Sequence, residues 1–397
     1  MQCPRCGNED PKYFYQDGEQ IYCRKCIQFG RVNITDVIQP KTYKCRKHRV
    51  KAHLNFELTD VQKRASVRLK ENALGGIDSL VYACCGAGKT EICFETITAF
   101  LNAGKKVGFA IPRRQVVLEI CERLRKAYPR LKVIAVCQGH TEVDDGDLIV
   151  CTMHQLYRYH HTFDLLILDE VDAFPYKDNE MLEAIAMNAC KGVKVLLSAT
   201  PSRQLLRKAE SGKLSMIELF TRPHGHPLIV PQCFILPHYF QLIHLLWFMK
   251  KYGGQWLVFV PTIAMSDAYG KWLSVFMPCA SFTSKTICKE EVLRRFKEHQ
   301  LTVLFTSTIL ERGVTFKGVH VAVLQSAHPV FDEASLIQIV GRVGRDPKEP
   351  KGFALLYADR KNHAMKRCIY ALQKMNESLF DLHECTGWGS YLERVPF

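Results

Sequence analysis

Val81-Tyr-Ala-Cys-Cys-Gly86-Ala87-Gly88-Lys89-Thr90 is the stretch on which the fold turns. Apolar Leu80 and Val81 end a short strand, and Glu91-Ile-Cys-Phe-Glu-Thr-Ile starts an amphipathic helix directly after Thr90. Between them, Gly86 and Gly88 let the backbone come close to a polyphosphate, whose oxygens meet the amides at the helix start. Lys89 supplies a point charge to the outer phosphates, and the Thr90 hydroxyl can hold Mg²⁺. The full pattern wants Gly where Ala83 stands, so the match is one residue short. An ordinary Gly-rich strand-to-helix turn is the plain alternative. Gly-x-Gly-Lys-Thr in strand–loop–helix context argues against it, and the stretch predicts a nucleoside triphosphate site.

Downstream, Leu165-Leu-Ile-Leu-Asp169-Glu170-Val-Asp172 is the partner such a loop requires. An apolar strand delivers two carboxylates at its end. Asp169 is suited to hold Mg²⁺ through water, and Glu170 to polarise the water that attacks a γ-phosphate. A strand ending in an acidic turn is common by itself; paired with the upstream loop it supports hydrolysis. Strand-like runs at 106–111, 132–136, 148–151, 165–168 and 194–198 alternate with helix-like runs such as 114–126 and 179–189. That alternation predicts a parallel sheet with crossover helices, which places ligands at the carboxyl ends of its strands. Ahead of the loop, Thr59 or Asp60 caps a helix carrying Gln62, a residue able to read an adenine edge or simply to sit on a helix surface.

Thr221-Arg-Pro-His-Gly-His-Pro227 marks a linker, and a second alternating set follows, with strands at 256–260, 302–306, 320–324 and 353–357 and helices at 290–298 and 333–340. This half has no phosphate loop. It does carry Thr306-Ser-Thr-Ile-Leu-Glu-Arg-Gly313-Val-Thr-Phe and Gln338-Ile-Val-Gly-Arg342-Val-Gly-Arg345. Two arginines three apart share a helical face, and they can serve a γ-phosphate held by the first domain as arginine fingers. Paired arginines are more often a basic helix face.

At the N-terminus, Cys3-Pro-Arg-Cys6 and Cys23-Arg-Lys-Cys26 form two C-x₂-C knuckles sixteen residues apart. Four thiolates close a tetrahedron suited to Zn²⁺ and leave no open position, as in most structural sites of this kind; a rubredoxin-like iron site is the competing reading. The residues between them predict a hairpin turning at Asp17-Gly18. Cys45 and His48 have ligand-like spacing, but the four-cysteine set is complete without them. The basic run at 41–51 is equally a solvated linker or a phosphate-contacting arm.

Composition fits this plan. A chain of 397 residues, 47% hydrophobic, can bury two or three cores. Lys+Arg 54 against Asp+Glu 40 gives a net charge of +14, which favours a polyanionic partner, an excess that ribosome-associated and membrane-surface proteins share. No apolar run approaches the roughly 20 residues a membrane span needs, and there is no signal-peptide core. With 17 cysteines and no export signal, reduced thiols around a metal fit better than a disulfide framework.

Taken together, the phosphate loop, Asp169-Glu-Val-Asp172, Ser198-Ala-Thr200, the segment from Thr306 to Phe316 and the segment from Gln338 to Arg345 follow the order of superfamily 2 helicase motors. With the four-cysteine N-terminus and the ILERGVTF and QIVGRVGR strings, the chain most resembles the ComFA family of competence-associated DNA translocases, related to PriA. DEAD-box RNA helicases fit less well: Val171 stands where they have Ala, Gln338-Ile339 where they have His-Arg, and Thr315 where they have Asp.

The resemblance implies an α/β fold of two tandem RecA-like parallel-sheet domains preceded by a small zinc module, with boundaries at 1–50, 51–222 and 223–397. It implies an ATPase stimulated by single-stranded DNA that pulls transforming DNA through a membrane channel. The chain would lie in the cytoplasm or at the inner face of the membrane, with ComFC-like and channel partners. Gln62 would contact adenine; Gly86, Ala87, Gly88, Lys89, Thr90 and Gly313 the nucleotide; Asp169 the Mg²⁺; Glu170 the water; Arg342 and Arg345 the transition-state charge. Ser198 and Thr200 would couple nucleotide state to strand binding. Arg113, Arg114, Thr152, His154 and Thr306 would grip the nucleic-acid backbone, although Arg113 and Arg114 also suit a solvated helix start and His154 a core. Two alternatives stand beside this. One is a duplex-unwinding superfamily 2 helicase in replication restart or RNA work. The other is a zinc-ribbon switch clamping nucleic acid with little ATP turnover.

Overall fold

The computed structural model describes residues 1–307 and 316–383. Gly313, assigned to the nucleotide by resemblance, lies outside the described residues. The chain forms two units, one of Met1–Ala83 with Gly88–Leu219, the other of Cys84–Ala87 with the chain from Phe220 onward.

In the first unit a hairpin, β1 (Phe14–Asp17) and β2 (Gln20–Cys23), pairs Asp17 with Gln20. Gly18 takes φ +61° in its turn, so the chain reverses just after Asp17, at the expected Asp-Gly. Then come α1 (Asp60–Leu74), β3 (Ser79–Ala83), α2 (Lys89–Ile92), α3 (Phe94–Asn102), β4 (Val107–Ile111) and α4 (Arg114–Ala127). They are followed by β5 (Val133–Val136), β6 (Leu148–Thr152), β7 (Phe163–Leu168), α5 (Glu180–Ala189), β8 (Cys190–Ser198), α6 (Arg203–Glu210) and β9 (Ser215–Leu219). Strands β3 to β9 make one parallel sheet in the order β5-β6-β4-β7-β8-β3-β9. Helices on both faces bury the central strands, which is why β4 and β6 read as unbroken buried runs.

The second unit repeats the plan with β10 (Gln232–Ile235), α7 (His238–Tyr252), β11 (Gln255–Phe259), α8 (Ile263–Leu273), β12 (Cys279–Phe282) and α9 (Lys289–Lys297). It continues with β13 (Val303–Thr306), β14 (Val319–Val323), α10 (Glu333–Val340), β15 (Ala354–Ala358) and α11 (His363–His383). Its parallel sheet runs β10-β15-β14-β11-β13-β12. These are two RecA-like parallel-sheet domains.

The cysteine module is welded to the first sheet domain. Its four cysteines and Val32 belong to the same buried cluster as Leu166 of β7 and Leu182 and Ile185 of α5. Phe29 stacks on Tyr157 with ring centroids 5.0 Å apart, and the Asn188 amide donates to the Arg5 carbonyl at 3.1 Å. The basic run that follows is docked as well. Val50 exchanges two hydrogen bonds with the Asn102 side chain (2.9 and 3.0 Å), Lys41 pairs with Asp144 (2.7 Å), and His48 pairs with Asp147 (3.2 Å). It is therefore a fixed strap, with Lys44, Arg46, Lys47 and Arg49 exposed along it.

Candidate ATP and nucleic-acid site

The first sheet sets the site's geography. Ser198 ends β8, and Asp169 and Glu170 follow β7; the phosphate loop follows β3. Arg113 follows β4 and Thr152 ends β6. In the strand order these fall side by side along one carboxyl edge: β6 and β4 carry the nucleic-acid candidates, β7 and β3 the nucleotide candidates, and β8, between those two, the coupling candidate Ser198.

Gly86 and Gly88 adopt φ +83° and +86°, the left-handed region where a side chain is strained. At Gly88 a β carbon would also run into the Gln62 amide. Gln62 is buried rather than on a helix surface. Its Oε1 accepts from the Thr59 amide (2.9 Å) while the Thr59 hydroxyl accepts from the Gln62 amide (3.3 Å), a capping box that fixes the start of α1 beside the phosphate loop. Lys89 donates to the Ala83 carbonyl at 3.4 Å, and Thr90 is buried at the start of α2.

Asp169 is 7% exposed, and the Glu170 amide donates to its Oδ1 at 2.8 Å. Burial, then the neighbouring Glu170 charge, pushes its carboxyl up to about 7, with Lys89 pulling partly back. A divalent cation answers that arrangement, since it stabilises the ionised form. Glu170 itself sits at φ +52°, an unusual backbone for a non-glycine residue and one found at functional sites. Beyond it, Asp172 accepts from the hydroxyls of Ser198 (2.8 Å) and Thr200 (2.6 Å), and the Thr200 amide donates to Ser198 Oγ (3.0 Å). Sequence reading left Asp172 without a role, because nothing in its spacing reports which strand end it will meet.

Among the nucleic-acid candidates, Arg113 precedes α4, and Arg114 is exposed with its Nε on the Gln138 carbonyl (2.8 Å). Thr152 is buried at the end of β6. His154 is half-buried 6.1 Å from the Phe29 ring, and burial holds its imidazole below the usual range. Thr306, in the second domain, is fully buried and donates to the Phe282 carbonyl (2.8 Å), so its hydroxyl shapes a strand end.

One geometric expectation is corrected. α10 ends at Val340, so Arg342 and Arg345 do not share a helical face; they lie on the turn beyond it. Gly341 closes the helix, and Gly344 takes φ +64°, which a helix excludes. Arg342 is 2% exposed, whereas Arg345 is half-buried with its Nε on the Gly341 carbonyl (2.9 Å).

At the N-terminus the four Sγ atoms of Cys3, Cys6, Cys23 and Cys26 lie within 4.8 Å of one another, with Cys3–Cys26 and Cys6–Cys23 at 3.7 Å. A tetrahedral Zn²⁺ with Zn–S bonds of about 2.3 Å requires sulfurs about 3.8 Å apart, so the cluster fits that ion. Cys45 is exposed and His48 faces Asp147, consistent with neither being a ligand.

Comparison with known proteins fixes the family. The chain is 34% identical over 391 residues to competence protein ComFA of Streptococcus pneumoniae, covering 94% of this chain and 90% of that one. The chain belongs to the ComFA family. ComFA of Bacillus subtilis is 32% identical across 97% of this chain and 87% of its own length. Residues 1–38 match the ComFA N-terminal domain, 55–203 the res subunit of type III restriction enzymes, and 238–347 the helicase conserved C-terminal domain. A more distant relative, the DNA helicase RecG of Thermotoga maritima, is 24% identical over 79% of this chain and 44% of its own. In fold, S. cerevisiae Dbp5 bound to RNA and ADP BeF3 matches with a TM-score of 0.58 at 17% identity, covering 83% of this chain and 96% of that one. RecG bound to a three-way DNA junction matches at 0.57 and 21%, covering 84% and 47%. This member of the family is thus a competence-associated, nucleic-acid-dependent ATPase of the helicase type, whose paired helicase domains imply use of ATP with Mg²⁺. Among the described residues no helix is long and apolar enough to cross a membrane.

Proposed function

We propose that this chain is an ATP-driven translocase of single-stranded DNA that draws transforming DNA inward during competence. Its domains would be a zinc module and strap at 1–50, an ATP-binding domain at 51–222 and a finger-bearing domain at 223–397. The observation that carries the reading is Asp172 holding both Ser198 and Thr200, which ties the end of β7, the strand that delivers Asp169 and Glu170, to the end of β8 beside the phosphate-loop strand β3. A change at the Asp169–Glu170 turn on hydrolysis can reach the neighbouring strand end through that carboxylate. In this scheme Gly86, Ala87, Gly88, Lys89, Thr90 and Gly313 hold ATP, and Gln62 braces the loop and meets adenine. Asp169 holds Mg²⁺, Glu170 orients water, and Arg342 and Arg345 neutralise the transition state. Arg113, Arg114, Thr152 and His154 grip the backbone of the strand, and Thr306 acts indirectly, its buried hydroxyl holding the end of β13. Cys3, Cys6, Cys23 and Cys26 bind one Zn²⁺. The partners are a ComFC-like protein and a membrane DNA channel, reached from the cytoplasmic face.

Steady-state ATP hydrolysis with no nucleic acid, single-stranded DNA, duplex DNA and RNA tests this. Strong stimulation by single-stranded DNA is expected; equal stimulation by RNA, or none by any, overturns it. Kinship to RecG favours a second reading, duplex unwinding, and strand displacement on forked DNA separates the two.

A further inference from the structure

Arg222, three residues past β9, was no more than a linker residue in the sequence, yet it is 3% exposed. Its guanidinium is surrounded by carbonyl oxygens. One terminal nitrogen donates to Val343 and Gly344 (2.7 Å each), the other to Gly341 (2.9 Å), and Nε to Cys85 (3.0 Å), a residue of the stretch Cys84–Ala87 in this same unit. Among the described residues no carboxylate pairs with it. His224 adds a bond from Nε2 to the Gly344 carbonyl (3.1 Å), and its Nδ1 accepts from the His226 amide (3.1 Å), which fixes the tautomer with hydrogen on Nε2.

These carbonyls belong to the turn that carries Arg342 and Arg345. A helix end leaves its last carbonyls needing donors, and small neutral caps commonly supply them. Here a buried cation does so, with a rigid fork that specifies where each carbonyl lies. Gly344 permits the approach: a β carbon there would meet the Pro350 carbonyl and crowd the Arg222 guanidinium at 3.4 Å. We infer that Arg222 is a positioning residue for hydrolysis, holding the turn so that Arg345 is presented in productive geometry. The inference rests on the assignment of Arg342 and Arg345 to the transition state.

The test compares wild type, Arg222→Lys, Arg345→Ala and the double variant by kcat, KM for ATP, affinity for an oligothymidylate and melting temperature. Lysine keeps the charge and the stem but cannot fork to three carbonyls. A misplacement of about 1 Å can cost roughly 10²-fold in rate. Arg222→Lys is therefore expected to lower kcat at least tenfold, with KM and DNA affinity within about twofold of wild type. In the Arg345→Ala background the same change should cost less than about twofold, because the group it positions is gone. An unchanged kcat, an equal fold-loss in both backgrounds, or a loss matched by weaker ATP binding overturns the inference. The last outcome would assign Arg222 to the Cys85 loop. Loss of cooperative melting in Arg222→Lys overturns it too, making Arg222 a folding residue. Near-normal turnover by Arg345→Ala alone would instead remove the finger assignment beneath it.

Discussion

Ser198 donates its hydroxyl to Oδ1 of Asp172 at 2.8 Å, and Thr200 occupies the other oxygen of that carboxylate at 2.6 Å. The hydroxyls come from the end of β8 and just beyond it and the carboxyl group from the turn after β7, so two neighbouring strand ends share one side chain. Ser198 and Asp172 are both buried, which makes each hydrogen bond to the charge count.

Ser198→Ala should therefore cost about 1–3 kcal/mol of stability, the usual penalty for depriving a buried acceptor of its donor. Its effect on turnover should be uneven, with DNA-stimulated ATP hydrolysis falling severalfold more than the basal rate. Assays with and without single-stranded DNA decide this. A parallel fall in both rates would deny Ser198 a coupling role.

Glu170→Gln should hold ATP normally yet hydrolyse it about 10²–10⁴-fold more slowly, the range attributed to a positioned general base. Filter-bound nucleotide and single-turnover rates measure the two halves. The left-handed backbone at Glu170 adds a stability readout. Glu170→Gly, relieved of that strain, should melt no lower than wild type while remaining inactive.

Asp169 gives a pH signature. Its folded carboxyl sits near 7, raised by burial and then by Glu170, against about 3.9 in an unfolded chain. The protonated group is favoured in the folded state, so its stabilising contribution is complete below about pH 4 and declines as pH rises to about 7. Without Mg²⁺ or nucleotide, Asp169→Asn should match wild type in melting temperature at about pH 3.5, below the unfolded carboxyl's own value. It should exceed wild type by several degrees at pH 7.5. A pH-independent difference would show that the carboxylate is not destabilised by its site.

Cys23→Ser should remove bound zinc, one ion per chain by metal analysis, and lower the melting temperature of the whole first domain. The sulfurs share a buried cluster with β7 and α5, so metal binding and domain stability are linked. Full zinc content in the variant would refute the ligand set.

How much of this was legible depended on whether the signal was local. β4, β6 and β7 are buried on both faces, and their unbroken apolar runs located them within a residue or two. β10 and β12 are edge strands with mixed burial; the apolar run of β10 is short and closed in by Pro231 and Pro237, and that of β12 is broken by Ser281. α11 also went unread, although Met365, Cys368, Leu372 and Met375 recur at helical spacing and are all buried. The zinc knuckles were readable because ligand spacing is itself chemistry; their attachment through Phe29 and Tyr157 was not, since it arises only in three dimensions. Arg342 and Arg345 looked helical because three-residue spacing was weighed ahead of the two glycines that break the helix. Arg222 had no pattern to betray it, a lone cation among prolines, histidines and glycine.

The seat of the N-terminal module also bears on how this protein can be handled. Matches to the motor begin near residue 55, which invites expression of a shortened chain lacking the first 38 residues. Such a trimming would strip Phe29 from Tyr157 and uncover Leu156 and Ile185, leaving an oily scar on an otherwise intact engine. Freshly bared surface of that kind draws molecules together, so the minimal motor should precipitate or self-associate where the intact chain stays dispersed.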